Sequence, residues 1–153
     1  LILDGGACTV GVESTIIDCT GDYPGILRPG AITEDMISQA TDMDLANKIS
    51  NIETGRIRVS GSLESHYSPL ATVLLDELPI VGQGFIALAD VPTPEGAIRL
   101  ASPNNNEEFA RILYASLRDA DESGLTHVVV FQPRGAGIAI AIRDRLKRSA
   151  NSR

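Results

Sequence analysis

Ala97-Ile98-Arg99-Leu100, the capped segment Asn105 to Gly124, and Val128-Val129-Val130-Phe131 together form the stretch that decides the fold. The two outer runs are short and almost uninterruptedly apolar, as strands covered on both faces are. Between them Phe109, Ile112, Leu113, Ser116, Leu117 and Ala120 recur at the spacing of one helical face, with Asn105 or Asn106 to cap the start and Gly124 to stop it. Thr72-Val73-Leu74-Leu75 and Phe85-Ile86-Ala87-Leu88 are two more buried-strand runs upstream. Downstream, a helix is expected over about 137–149, ending in Arg145, Lys147 and Arg148, which suit the negative end of its dipole. Strands alternating with helices place residues 71–153 in a small, mostly parallel α/β layer fold.

Working back from Ala71, residues 39–70 are rich in Asp, Asn, Ser and Gly and lack periodicity, which is linker composition. That linker closes on His66-Tyr67-Ser68-Pro69, an aromatic pair a passive spacer has no need of. Residues 1–38 read as the end of another domain: strand 1–3, a glycine turn, strand 11–19, the Pro24-Gly25 corner, strand 25–28 and a short helix. Thr33 caps that helix and Glu34 and Asp35 suit its dipole. Pairing Asp18 with Ile26 sets Arg28 opposite Ile16, on the same face as Ser14, whereas a slip of one residue would part them. Leu1-Ile2-Leu3 running straight into Asp4-Gly5-Gly6 leads us to expect the C-terminal piece of a longer protein.

With 153 residues, 43% of them apolar, the chain can build one full core or two small ones. Its net charge of -7 argues against a dedicated nucleic-acid binder, although six bases face only Asp144 from Arg134 onward. Cys8 and Cys19 make neither a disulfide framework nor a CxxC metal site, which points to a reducing, cytoplasmic setting. No apolar run approaches the roughly 20 residues that span a bilayer, so no membrane association is expected.

Ser14 stands in no G-x-S-x-G elbow and has no triad partners nearby, so its hydroxyl is either a hydrogen-bonding contact for a small polar ligand or a strand serine bonded to backbone. Arg28, held extended before Pro29, presents forked donors suited to phosphate or carboxylate, or else a surface ion pair. Tyr67 either stacks on a base and donates to phosphate, or staples the linker to a domain. His66 and His127 are too few for a metal cluster. Arg134-Gly135-Ala136-Gly137 resembles a phosphate-cradling turn, but Ile140 occupies the place of the third glycine, which leaves a tight βα turn without ligand as the plainer reading.

Leu3-Asp4-Gly5-Gly6, Gly11 to Asp18, Leu27-Arg28-Pro29-Gly30 and His66-Tyr67-Ser68-Pro69, in that order, resemble the threonylcarbamoyl-AMP synthase family in its long form, and the likeness extends to 110–114 and 139–146. In that family the end of a YrdC-like twisted-sheet α/β domain leads through a linker to a Rossmann-like accessory domain. The resemblance implies condensation of L-threonine, bicarbonate and ATP to threonylcarbamoyl-AMP and pyrophosphate, for tRNA modification, by a nucleotidyltransferase. It implies L-threonine binding at Ser14, ATP binding at Arg28 and Tyr67, and a divalent cation such as Mg with the ATP. Other tRNA-modification proteins are candidate partners. Ser60-Gly61-Ser62-Leu63 replaces the family's common Pro-Gly-Met-Lys before the His-Tyr pair. The family's K-x-R and S-x-N motifs belong to a half not contained in these residues, so the chain alone is expected to be inactive. The rival expectation is a non-enzymatic α/β module that docks a protein or tRNA partner.

Overall fold

The structure is a computed structural model that describes residues 1–6, 8–43, 45 and 68–151. In chain order it contains β1 (Ile16–Asp18), β2 (Gly25–Arg28), α1 (Glu34–Thr41), β3 (Thr72–Leu75), β4 (Gly84–Ile86), β5 (Ile98–Ala101), α2 (Asn106–Glu122), β6 (His127–Val130) and α3 (Ile138–Ala150).

Strands β3 to β6 form one sheet in the order β3-β6-β4-β5, parallel at every pairing, as the alternation of strand and helix requires. Side chains alternate across it. Val128 and Val130 meet Phe109, Leu113 and Leu117 of α2 and Ile142 and Leu146 of α3, so both helices cover one face. On the other face Val129 packs with Phe85 and Ala87, and Phe131 meets Phe85 edge-on with ring centroids 5.1 Å apart. There Arg99 replaces a helix as the cover. Its guanidinium carbon lies 5.0 Å from the centre of the Phe85 ring, while its donors reach the carbonyls of Ala87, Leu88, Val91 and Ala101. Burial of one such Phe is worth about 1.5–3 kcal/mol, so the double-sided core is what holds this sheet.

The expected caps are present. Asn105 Oδ1 accepts from the Glu108 amide at 2.8 Å, and Thr33 Oγ1 from the Met36 amide at 3.3 Å. Helix α1 runs on past residue 38, to Thr41.

Two expectations need correction. Residues 1–3 form no strand, and the strand expected over 11–19 is confined to Ile16–Asp18. Apolar composition does not make a strand without a partner ladder, and none of the described residues pairs with 1–3. The second correction concerns register. Asp18 pairs with Gly25 and Ile17 with Ile26, one residue away from the expected Asp18–Ile26 pairing, yet a bulge between Ile16 and Ile17 restores Ile16 opposite Arg28.

The N-terminal segment is seated on the helices of the parallel sheet. Val12 is buried in the same core as Phe109 and Ile142. Gly11, with φ of 83°, lies against the backbone of Ala110 and Arg111 so closely that a Cβ has no room. Among the described residues no helix is long and apolar enough to cross a membrane.

Candidate functional site

The bulge and the pairing of β1 with β2 bring Ser14 and Arg28 together. Arg28 is 6% exposed, and its guanidinium donates to the Ser14 carbonyl from Nε at 3.1 Å and from Nη2 at 2.8 Å. Nη2 also lies 3.2 Å from Ser14 Oγ, which accepts. In place of the solvated surface position that one sequence alternative gave Arg28, its guanidinium is buried against Ser14. Arg28 is a buried cation clamped onto the residue it faces, while Ser14 itself is exposed. Because Ser14 Oγ accepts from Arg28, its own proton is left to donate. The pair thus offers an incoming carboxylate a hydroxyl donor beside a fixed positive charge.

Gly30 makes this geometry possible. It lies directly on the backbone from Glu13 to Thr15, and a Cβ there would sit 2.6 Å from the Ser14 carbonyl carbon. Thr15 Oγ1 donates to the Ile32 carbonyl at 2.5 Å and closes the loop that follows.

A second layer, unanticipated from sequence, lies behind the pair. Arg145 of α3 is 4% exposed. Its Nε donates to Glu13 Oε2 at 2.6 Å, its Nη2 to the Pro29 carbonyl at 3.1 Å and its Nη1 to Asp144 Oδ2 at 2.5 Å. Tyr114 of α2 donates to Glu13 Oε1 at 3.1 Å. Burial pushes the Glu13 carboxyl up, but the Arg145 hydrogen bond and charge, with Tyr114, outweigh it and hold the pKa below the usual carboxylate range. Burial would lower Arg145, yet Glu13 and Asp144 raise it. A signal for this layer existed. Arg145 falls on the buried face of α3 with Ala141, Ile142, Leu146 and Ser149, and a charge in that stripe demands a partner.

Tyr67, and His66 beside it, lie outside the described residues. Arg134 to Gly137 form the expected turn, with φ of 97° at Gly135 and 67° at Gly137. Arg143 braces it by donating to the Pro133 and Gly135 carbonyls at 2.8 and 2.9 Å. The turn borders an open cleft of about 500 Å³ outside the carboxyl ends of β3 and β6, whose lining includes neither Ser14 nor Arg28. No three His, Cys, Asp or Glu side chains converge among the described residues. Cys8 and Cys19 are free and exposed.

Comparison with known proteins fits this architecture. Threonylcarbamoyl-AMP synthase from Schizosaccharomyces pombe is 32% identical over 184 residues, covering 99% of this chain and 45% of that protein. The Bacillus subtilis threonylcarbamoyl-AMP synthase is 27% identical over 169 residues, covering 99% and 49%. The chain thus spans about half the length of the curated relatives it matches. Among solved structures, Pyrococcus abyssi Sua5 complexed with L-threonine superposes with a TM-score of 0.75 at 24% identity, over 97% of this chain and 48% of that one, and so shares the fold. Residues 32–151 match the family described as threonylcarbamoyl-AMP synthase, C-terminal domain, and this chain belongs to that family.

Proposed function

We propose that these residues are the C-terminal half of an enzyme that condenses L-threonine, bicarbonate and ATP to threonylcarbamoyl-AMP and pyrophosphate, in the cytoplasm, for tRNA N6-threonylcarbamoyladenosine. The observation that carries the reading is the Ser14–Arg28 clamp, a hydroxyl donor set 3.2 Å from a buried guanidinium nitrogen. It has the chemistry an amino-acid carboxylate requires. The P. abyssi relative of the same fold binds L-threonine, by the name of its structure, which supports the same ligand here.

In the reaction the threonine amine attacks the carbon of bicarbonate and water leaves, giving a carbamate. A carbamate oxygen then attacks the α-phosphorus of ATP, the bond to the β-phosphate bridge breaks, and pyrophosphate departs with that electron pair. Transfer of the AMP group makes the enzyme a nucleotidyltransferase. Ser14 holds the threonine. Arg28 contributes its buried positive charge to ATP binding, together with Tyr67. ATP brings its divalent cation on its own phosphates. Positioning and charge stabilisation suffice, with no covalent enzyme intermediate.

The experiment is pyrophosphate release by the full-length protein, dependent on threonine and bicarbonate. Ser14→Ala is expected to raise the threonine requirement and Arg28→Ala to weaken ATP binding, while the 153-residue chain alone releases none. Wild-type behaviour of both variants would overturn the assignment.

A further inference from the structure

Arg28 ends β2, of four residues, while Ser14 lies two residues ahead of β1, of three, and among the described residues a two-stranded ribbon of that size is marginal by itself. What keeps Ser14 and Arg28 in register therefore has to come partly from outside the ribbon. Glu13 immediately precedes Ser14, and Pro29 immediately follows Arg28. One guanidinium, that of Arg145, binds both: Glu13 Oε2 at 2.6 Å and the Pro29 carbonyl at 3.1 Å. The third side of the fork is held by Asp144, which Arg148 in turn binds from Nε at 3.0 Å. Tyr114 secures the second oxygen of Glu13 from the other helix.

We propose that Arg145 is a positioning residue for the substrate site, and that a function of the parallel-sheet unit is to set the separation of Ser14 and Arg28 through the fork that Arg145 places between Glu13 and Pro29. This rests on the reading of Ser14 and Arg28 given above. The geometry requires a planar, multidentate cation. A lysine ammonium has the charge for Glu13 but lacks the fixed fork that also reaches the Pro29 carbonyl. Gly30 pressed on the Glu13–Thr15 backbone leaves little slack, so a displaced Pro29 carries Arg28 away from Ser14.

The test is steady-state kinetics of the full-length protein with Arg145→Gln and Arg145→Lys, with the folded fraction of each sample measured by thermal denaturation. Arg145→Gln is expected to raise KM for L-threonine by roughly tenfold, the size of one lost hydrogen-bonding arrangement of about 1.4 kcal/mol, with kcat per folded molecule nearly kept. Arg145→Lys is expected to recover part of that KM. A purely structural residue would lower the folded fraction and leave KM alone, and that result overturns the proposal. Should Arg145→Gln fail to fold, Tyr114→Phe, which removes one donor from Glu13, is expected to raise the threonine KM by roughly threefold, and an unchanged KM counts against the proposal. Ser14→Ala separates the two levels. If it raises the threonine KM while the Arg145 and Tyr114 variants do not, only the positioning role fails; if it too leaves KM unchanged, the site reading fails and takes the positioning role with it.

Discussion

Replacing Arg145 by methionine removes the cation from a cluster that is otherwise enclosed. The Glu13 side chain keeps 24% of its exposure, and with Arg145 gone it still accepts from Tyr114 and from its own backbone amide. Truncating one partner of a buried pair costs about 3–5 kcal/mol because a desolvated charge is left behind. Glu13 is a quarter open to water and keeps the tyrosine, so the lower end, about 3 kcal/mol, is the expected loss. For a chain of this size that is roughly 6–12 °C in Tm. Glu13→Gln preserves shape and leaves one oxygen to accept from Arg145, but its amide nitrogen cannot accept from Tyr114; Asp144 still compensates Arg145, so about 1–2 kcal/mol is expected. The double variant is expected to fall short of the sum by about 1 kcal/mol or more, since one interaction cannot be lost twice. Urea denaturation followed by far-ultraviolet circular dichroism at pH 7 measures all four corners of the cycle. A loss under about 1 kcal/mol for Arg145→Met, with no coupling to Glu13, would make the pair an ordinary solvated one and refute its role in seating the N-terminal segment.

Other outcomes follow from single contacts. The Glu13 carboxyl has its folded pKa below its unfolded value, so its contribution is complete above about pH 4.3 and is lost as pH falls through the lowered folded value; Glu13→Gln should flatten the acid limb of a stability-versus-pH curve measured from pH 6 to 2.5. Gly11→Ala places a methyl in the backbone of α2 and demands a positive φ of alanine, so a loss of about 2–3 kcal/mol is expected by urea denaturation, against less than about 0.5 for Gly5→Ala, where nothing lies within 4 Å. Asn105→Ala removes the cap of α2 and should cost about 1 kcal/mol, with Asn105→Ser recovering most of it.

The parallel sheet was legible because its central strands are covered twice. Phe131, Arg99 and the helices leave β4 and β6 no wet face, so the sequence there carries unbroken apolar runs, and α2 advertises both ends through Asn105 and Gly124. The N-terminal segment was less legible, since Leu1 to Leu3 have strand composition but join no ladder among the described residues. The register expectation erred by one at Asp18, but the consequence for Arg28 survived because the shift opposite Ile16/Ile17 leaves Leu27 of β2 as an extra, unpaired residue, and no local pattern announces such a bulge. Ser14 and Arg28 could be paired on paper since Ser14 lies just ahead of the strand that pairs with the one Arg28 ends. Glu13 and Arg145, 132 positions apart, could not, even though a lone arginine on the buried stripe of α3 pointed to a partner somewhere.

That Ser14 and Arg28 form one substrate-binding surface is tested most directly by amide hydrogen exchange of the full-length protein. Adding L-threonine with a non-hydrolysable ATP analogue is expected to slow exchange over Glu13 to Ile17 and Ile26 to Arg28, and Ser14→Ala should abolish the threonine-dependent part. Binding that leaves exchange in both stretches unchanged would contradict it.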